Sequence, residues 1–188
     1  MRGVVVVTGV MVAGKSTVAQ ALVMGVPPTP FRQWGSLPRS AHVRGDVFRR
    51  MIVSGREEFV PGAAPGGEAE AQLRLRHRLS AATADAYAEA GFTAVVQDVL
   101  LGEELSAYVD LVRTRPLYVV VLAPSPETVA DREAGRERNG YGAWTVEGLD
   151  GALRASTPRI GLWLDTSALT VAETVDAILA GWERARVA

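Results

Sequence analysis

Cysteine is absent from the 188-residue chain. That excludes a disulfide framework, a thiolate metal site and a cysteine nucleophile, and it fits a cytoplasmic setting. Charge of one sign is also lacking: 20 Lys and Arg face 21 Asp and Glu, a formal net charge of −1. Such a balance creates no field that draws a polyanion, so no nucleic-acid partner is expected. No apolar run is long enough to cross a membrane. The short run Val4–Val7 leads straight into a glycine-rich turn, so it reads as a buried strand and not as a signal peptide. Lysine is almost missing: Lys15 is the only one, and the other nineteen basic residues are arginines. The length suits a single domain over 1–188 with one core.

What is present alternates strand and helix. Val4–Val7, His42–Arg44, Phe92–Val96, Leu117–Leu122 and Ile160–Leu164 read as strands, rich in β-branched residues. Helices are expected from Lys15 to about Met24, after Gly45-Asp46, from about Glu68 to Ala90 with Gly91 ending it, and from about Glu103 to Arg113. Ser125-Pro126-Glu127 starts another, a short one spans Val146 to Ala155, and the capping box Thr170-Val171-Ala172-Glu173 opens the last. Strands alternating with helices imply an α/β fold: a three-layer arrangement, with a five-stranded parallel sheet covered by helices on both faces. Pro27, Pro28, Pro30 and Pro38 break the stretch between the first helix and the second strand, where Phe31 and Trp34 are read as caps on the core.

The sole lysine sits in Gly9-Val10-Met11-Val12-Ala13-Gly14-Lys15-Ser16-Thr17, which has the spacing of a phosphate loop between a strand and a helix. Glycines let the backbone wrap phosphates closely, and the helix N-terminus adds positive potential. A lysine is a compact charge on a flexible stem, where an arginine is planar and bulky. Gly9, Val12, Ala13, Gly14, Lys15, Ser16 and Thr17 are therefore assigned to nucleotide binding. Lys15 reaches the β- and γ-phosphates and Ser16 ligates Mg²⁺.

Two acids end strands at the sheet edge where parallel α/β folds bind ligands. Asp46 is read as the general base that accepts a hydroxyl proton during phosphoryl transfer; a helix N-cap is the alternative role. Arg49 and Arg50 follow on the same helix, and Arg49 is the candidate for holding substrate. Asp98 closes Ala94–Asp98 in the manner of a Walker B element. It is open to two roles, an Mg²⁺ ligand or a substrate contact, because Gln97 precedes it. On the long helix, Arg74, Arg76 and Arg78 do not share one face, and the choice among them stays open.

An arginine-rich stretch, Asp131 to Asn139, follows the fourth strand by one helix. Arg132/Arg136 and Glu133/Glu137 are like-charge pairs four residues apart, which destabilise a bare helix and favour a ligand-dependent role. The region from about 132 to 145 is assigned as a lid that excludes water and neutralises the migrating charge, with Arg132 and Arg136 catalytic and Arg132 also nucleotide-binding.

With these residues assembled, the chain resembles the small phosphate-loop kinases of the chloramphenicol phosphotransferase-like and zeta-toxin-like group. The resemblance runs from the phosphate loop through Gly45-Asp46, Phe48-Arg49, Val96-Gln97-Asp98 and Arg132/Arg136 to Arg159–Thr166. It implies ATP and Mg²⁺ as cofactors and transfer to a hydroxyl of a small molecule, with Asp46 as base. It also implies that Arg159–Thr166 lies near the adenine. The longer segment Pro27–Arg39 implies a different acceptor pocket. No Asn-Lys-x-Asp signature occurs, which counts against a GTPase switch. A nucleoside monophosphate kinase and a non-catalytic nucleotide-binding module are the competing functions.

Overall fold

The structure is a computed structural model that describes residues 3–25, 37, 39–61, 65–135, 141 and 143–187. Its centre is a five-stranded parallel sheet. The strands are β1 (Gly3–Gly9), β2 (Ser40–Arg44), β3 (Thr93–Gln97), β4 (Leu117–Leu122) and β5 (Leu162–Leu164). Their order across the sheet is β2-β3-β1-β4-β5, and every pairing is parallel. Val4–Val7 and Val119–Leu122 are fully buried. Such strands carry no polar face because helices cover both sides of the sheet.

The helices are α1 (Lys15–Met24), α2 (Gly45–Arg50), α3 (Glu68–Glu89), α4 (Glu103–Leu111), α5 (Pro126–Ala134), α6 (Val146–Gly151), α7 (Val171–Ala180) and α8 (Trp182–Ala185). The chain runs left across the sheet from β1 to β2 through α1, and right from β2 to β3 through α3. Right-handed crossovers in opposite directions put those two helices on opposite faces. Accordingly α1 packs on α7, and α3 packs on α2 and α4.

Several expected elements differ in extent, three of them for a visible reason. The short helix expected over Val146–Ala155 widens into a π-helical turn over Ala152–Ser156. The last strand begins at Leu162, because Gly161 turns with φ 72° and its Cα sits against the Val119 backbone, where a side chain has no room. The third strand runs one residue later than Phe92–Val96, since Gly91 takes φ 86° and spends Phe92 on the turn. Caps act as the sequence indicates: Ser125 accepts from the Thr128 N–H, and Thr170 and Glu173 form a complete capping box. Phe31 and Trp34 lie outside the described residues, as does Arg136. No helix among the described residues is long and apolar enough to cross a membrane.

Candidate active site

β1 ends at Gly9, and the loop that follows delivers the chain to the N-terminus of α1. Gly9 has φ 143° and packs against the Leu122 carbonyl, while Gly14 has φ 90°; both angles suit glycine. Val12 also has positive φ, 60°, although it is β-branched. That conformation is costly, and such cost concentrates at ligand-binding loops. Lys15 is buried, and its Nζ donates to the Val10 carbonyl oxygen at 2.6 Å. The ammonium is thus tethered inside the loop it serves. Tyr141 reaches over from the far side, and its hydroxyl donates to the Met11 carbonyl at 3.0 Å. Burial pushes the Tyr141 phenol up to about 12, so it remains a donor at neutral pH.

Gln97 and Asp98 divide between the two faces of the sheet, as successive residues of an extended chain do. Gln97 meets α1: the Ser16 hydroxyl donates to its Oε1 at 2.7 Å. Asp98 meets α3. It is 2% exposed, its Oδ2 accepts from Arg76 Nε at 2.8 Å, and its Oδ1 accepts from the Val99 N–H at 2.7 Å. Arg76 Nη2 also pairs with Oδ1, making a bidentate fork. Burial lowers the Arg76 pKa to about 10, which leaves the guanidinium charged at neutral pH. Gly45 completes the arrangement: a side chain there would occupy the space of the Asp98 carboxylate. The segment after Asp98 is fixed by Thr8, whose hydroxyl donates to the Leu100 carbonyl at 3.0 Å and accepts from the Leu100 N–H at 2.9 Å.

Asp46 stands in the first turn of α2 with its side chain 42% exposed. It pairs with Arg50 at 3.0 Å and more distantly with Arg44 at 3.6 Å. It caps nothing: α2 has no side-chain cap, and Asp46 lies inside the helix. Arg49 pairs with Glu58 at 3.0 Å. Of the three arginines on α3, only Arg76 lines the site. Arg74 pairs with Glu70 on the helix exterior, and Arg78 is exposed. Arg132, in the last turn of α5, donates to the Thr166 carbonyl at 3.0 Å, which ties it to the segment that the resemblance puts near the adenine.

A cleft of about 690 Å³ opens beside the phosphate loop. Met11 and Tyr141 bound it at the loop, Asp46, Arg49 and Arg76 along one wall, and Leu101 and Glu104 along another. Its roof joins distant parts of the chain. Phe59 and Trp144 stack with centroids 6.1 Å apart, and Trp144 Nε1 donates to the Phe59 carbonyl at 3.2 Å. Sequence reading missed Phe59, Trp144, Glu104 and the Gln97–Ser16 contact.

A family model described as an AAA domain matches residues 4–160, most of the chain. The chain belongs to that AAA domain family. The match takes in the phosphate loop, Asp46, Asp98 and Arg132 together. No curated protein matches the chain. Among solved structures, this AAA domain is similar to an unliganded sugar kinase from Janibacter sp. HTCC2649, with TM-score 0.68, 19% identity, and coverage of 98% of this chain and 96% of that one. It is similar to the Mycobacterium tuberculosis APS kinase in complex with AMPPNP and APS, with TM-score 0.63, 17% identity and coverage of 97% and 98%. It is also similar to a gluconokinase from Sinorhizobium meliloti 1021, with TM-score 0.56, 21% identity and coverage of 97% and 93%. At these identities the likeness is one of fold, the α/β fold with its parallel five-stranded sheet.

Proposed function

We propose that this protein is an ATP-dependent phosphotransferase that moves the γ-phosphoryl group to a hydroxyl of a small molecule. One observation carries the reading: the phosphate loop and Asp46 border the same cleft, so a donor loop and a candidate base meet in one enclosure. The kinases of similar fold support it.

Loop N–H groups and Lys15 hold the β- and γ-phosphates, with Lys15 leaving the Val10 carbonyl for the nucleotide. Asp46 accepts the proton of the acceptor hydroxyl as that oxygen bonds to the γ-phosphorus. The bond from the γ-phosphorus to the bridging oxygen breaks, and ADP leaves. Arg132 and Arg136 close over the nucleotide and neutralise charge on the migrating group.

Magnesium fits as an ion carried by the phosphates. Ser16 offers a hydroxyl beside Gln97, and among the described residues no cluster of three or more His, Cys, Asp or Glu forms a metal cage. When bound, the ion screens the phosphate charge. Asp98 is a positioning residue here: both of its oxygens are taken by Arg76 and the Val99 N–H.

An ADP-release screen over alcohols, aminoglycosides, nucleosides and nucleotides tests the reading, with Lys15→Ala as blank. A hydroxyl-bearing acceptor should raise ADP release above the water rate; a pure nucleotide-binding module shows no such stimulation, and that result rejects the reading. Asp46→Asn should lose transfer while keeping nucleotide affinity. Full transfer by that variant removes Asp46 from the role of base.

A further inference from the structure

The cleft wall carries three arginines, Arg49, Arg50 and Arg76, and each is already matched by a carboxylate: Glu58 at 3.0 Å, Asp46 at 3.0 Å, and Asp98 in a bidentate fork. A phosphate or carboxylate on the acceptor would have to displace a carboxylate from one of them. That exchanges one ion pair for another and leaves the displaced acid beside the new anion, an arrangement that selects against anionic ligands.

Glu104 is different. It lines the cleft from the first turn of α4, and no arginine forms a salt bridge with it among the described residues. Its Oε2 instead meets His77 Nδ1 at 3.0 Å. His77 is 2% exposed and is braced edge-on against Tyr108, with ring centroids 5.8 Å apart. The Tyr108 hydroxyl is in turn within 2.9 Å of Ser80 Oγ. The carboxylate is therefore aimed from behind by a rigid, buried stack. Even a neutral imidazole donates an N–H to Glu104 without cancelling its charge. The hydrogen bond from His77 holds the Glu104 carboxyl below the usual carboxylate range, against the opposing effect of burial.

The same cleft is lined by Phe59, Trp144, Leu73, Leu101 and Leu149, an apolar set. Two flat aromatic side chains together with aliphatic ones suit a ring.

We propose that the acceptor is an alcohol carrying an apolar ring and a basic nitrogen, the ring against Phe59 and Trp144 and the ammonium on Glu104. The proposal rests on the phosphotransferase reading and specifies its acceptor. Asp46 and Glu104 thereby divide the work, one acting on the hydroxyl and the other anchoring the cation.

The test uses three compounds that share a phenyl carbinol and differ in charge: phenylethanolamine, phenylethylene glycol and mandelate. Binding is measured by titration calorimetry with a non-hydrolysable ATP analogue present, and transfer by ADP release. The amine should bind about tenfold tighter than the glycol and tighter still than mandelate. Glu104→Gln should abolish the advantage of the amine over the glycol while leaving affinity for the ATP analogue unchanged; circular dichroism confirms that the variant is folded. Mandelate binding as well as the amine overturns the proposal, and so does absence of binding by all three. If ADP release is instead stimulated by mandelate or adenosine monophosphate, the acceptor class is wrong and the phosphotransferase reading stands. If the amine binds in a Glu104-dependent way and no acceptor stimulates ADP release, the ligand class holds and the phosphotransferase reading falls.

Discussion

Replacing Gly45 by alanine tests whether the Asp98–Arg76 fork is the fixed point of the site. Gly45 is buried at the start of α2, and its added methyl would fall on the Asp98 carboxylate. That carboxylate has little freedom to yield, because the Val99 N–H holds one oxygen at 2.7 Å and Arg76 holds both. If the carboxylate shifts while keeping Arg76, the cost is that of overpacking, about 1–3 kcal/mol. If the fork breaks, a buried charge loses its partner, and the cost rises to about 3–5 kcal/mol. Alanine recovers at most about 1 kcal/mol of helix propensity over glycine. The expected net loss is therefore about 0–2 kcal/mol if the fork survives and about 2–4 kcal/mol if it breaks, the latter lowering Tm by roughly 5–15 °C for a chain of this size. Urea denaturation followed by circular dichroism measures it. Gly151→Ala is the matched control: it too lies in a helix, with φ −58° and nothing within 4 Å of the added methyl, so it should be neutral or slightly stabilising. Equal stability of Gly45→Ala and Gly151→Ala would refute the reasoning.

Asp98→Asn should leave Arg76 charged and unmatched, raising KM for the acceptor more than for ATP; steady-state kinetics with each substrate varied separates the two, and an equal rise in both would return Asp98 to the metal. Ser16→Ala should weaken nucleotide affinity in the presence of Mg²⁺ and leave it nearly unchanged in EDTA, as read by titration with a fluorescent nucleotide. Burial pushes the Asp85 carboxyl up, but hydrogen bonds from Thr114 and Arg113 outweigh it and hold the pKa below the ordinary range. A carboxyl with a depressed folded pKa contributes stability that is present above its unfolded pKa and lost as pH falls through the folded one. Asp85→Asn should therefore cost about 1.5–3 kcal/mol at neutral pH, with the gap from wild type narrowing below about pH 4 in denaturation curves.

The phosphate loop and the strand-end acids were legible because each is local. A fixed spacing marks the loop, and parallel strands bring every C-terminal end to one edge, so Asp46 and Asp98 had to lie near it. Arg76 was not singled out, because its spacing from Arg74 and Arg78 says nothing about which face of α3 is buried. The helix phase does say so. Leu73, Arg76 and His77, Ser80 and Ala81, Ala84 and Asp85 form the inward stripe, and the small residues Ser80 and Ala84 lie four and eight positions after Arg76. The cleft roof had no comparable signal. Phe59 and Trp144 stand 85 residues apart and meet only through the folded backbone. The same is true of His77 and Glu104, which belong to different helices on one face of the sheet.

The pair Gln97-Asp98 explains why an acid at a strand end was informative and incomplete. In a strand, one step along the chain reverses the side chain, so adjacent residues cannot both serve the nucleotide face. The crossover rule puts α1, with Lys15 and Ser16, on one face and α3 on the other. Gln97 points to Ser16 and Asp98 to Arg76, as their hydrogen bonds record. The residue toward the phosphate loop is thus an uncharged amide, which accepts from the Ser16 hydroxyl without adding negative charge there. The charged residue faces α3, where it fixes a guanidinium and, through the space it takes, requires glycine at position 45. One strand end in this way serves both faces of the sheet, and the partner of each side chain follows from which helix it reaches.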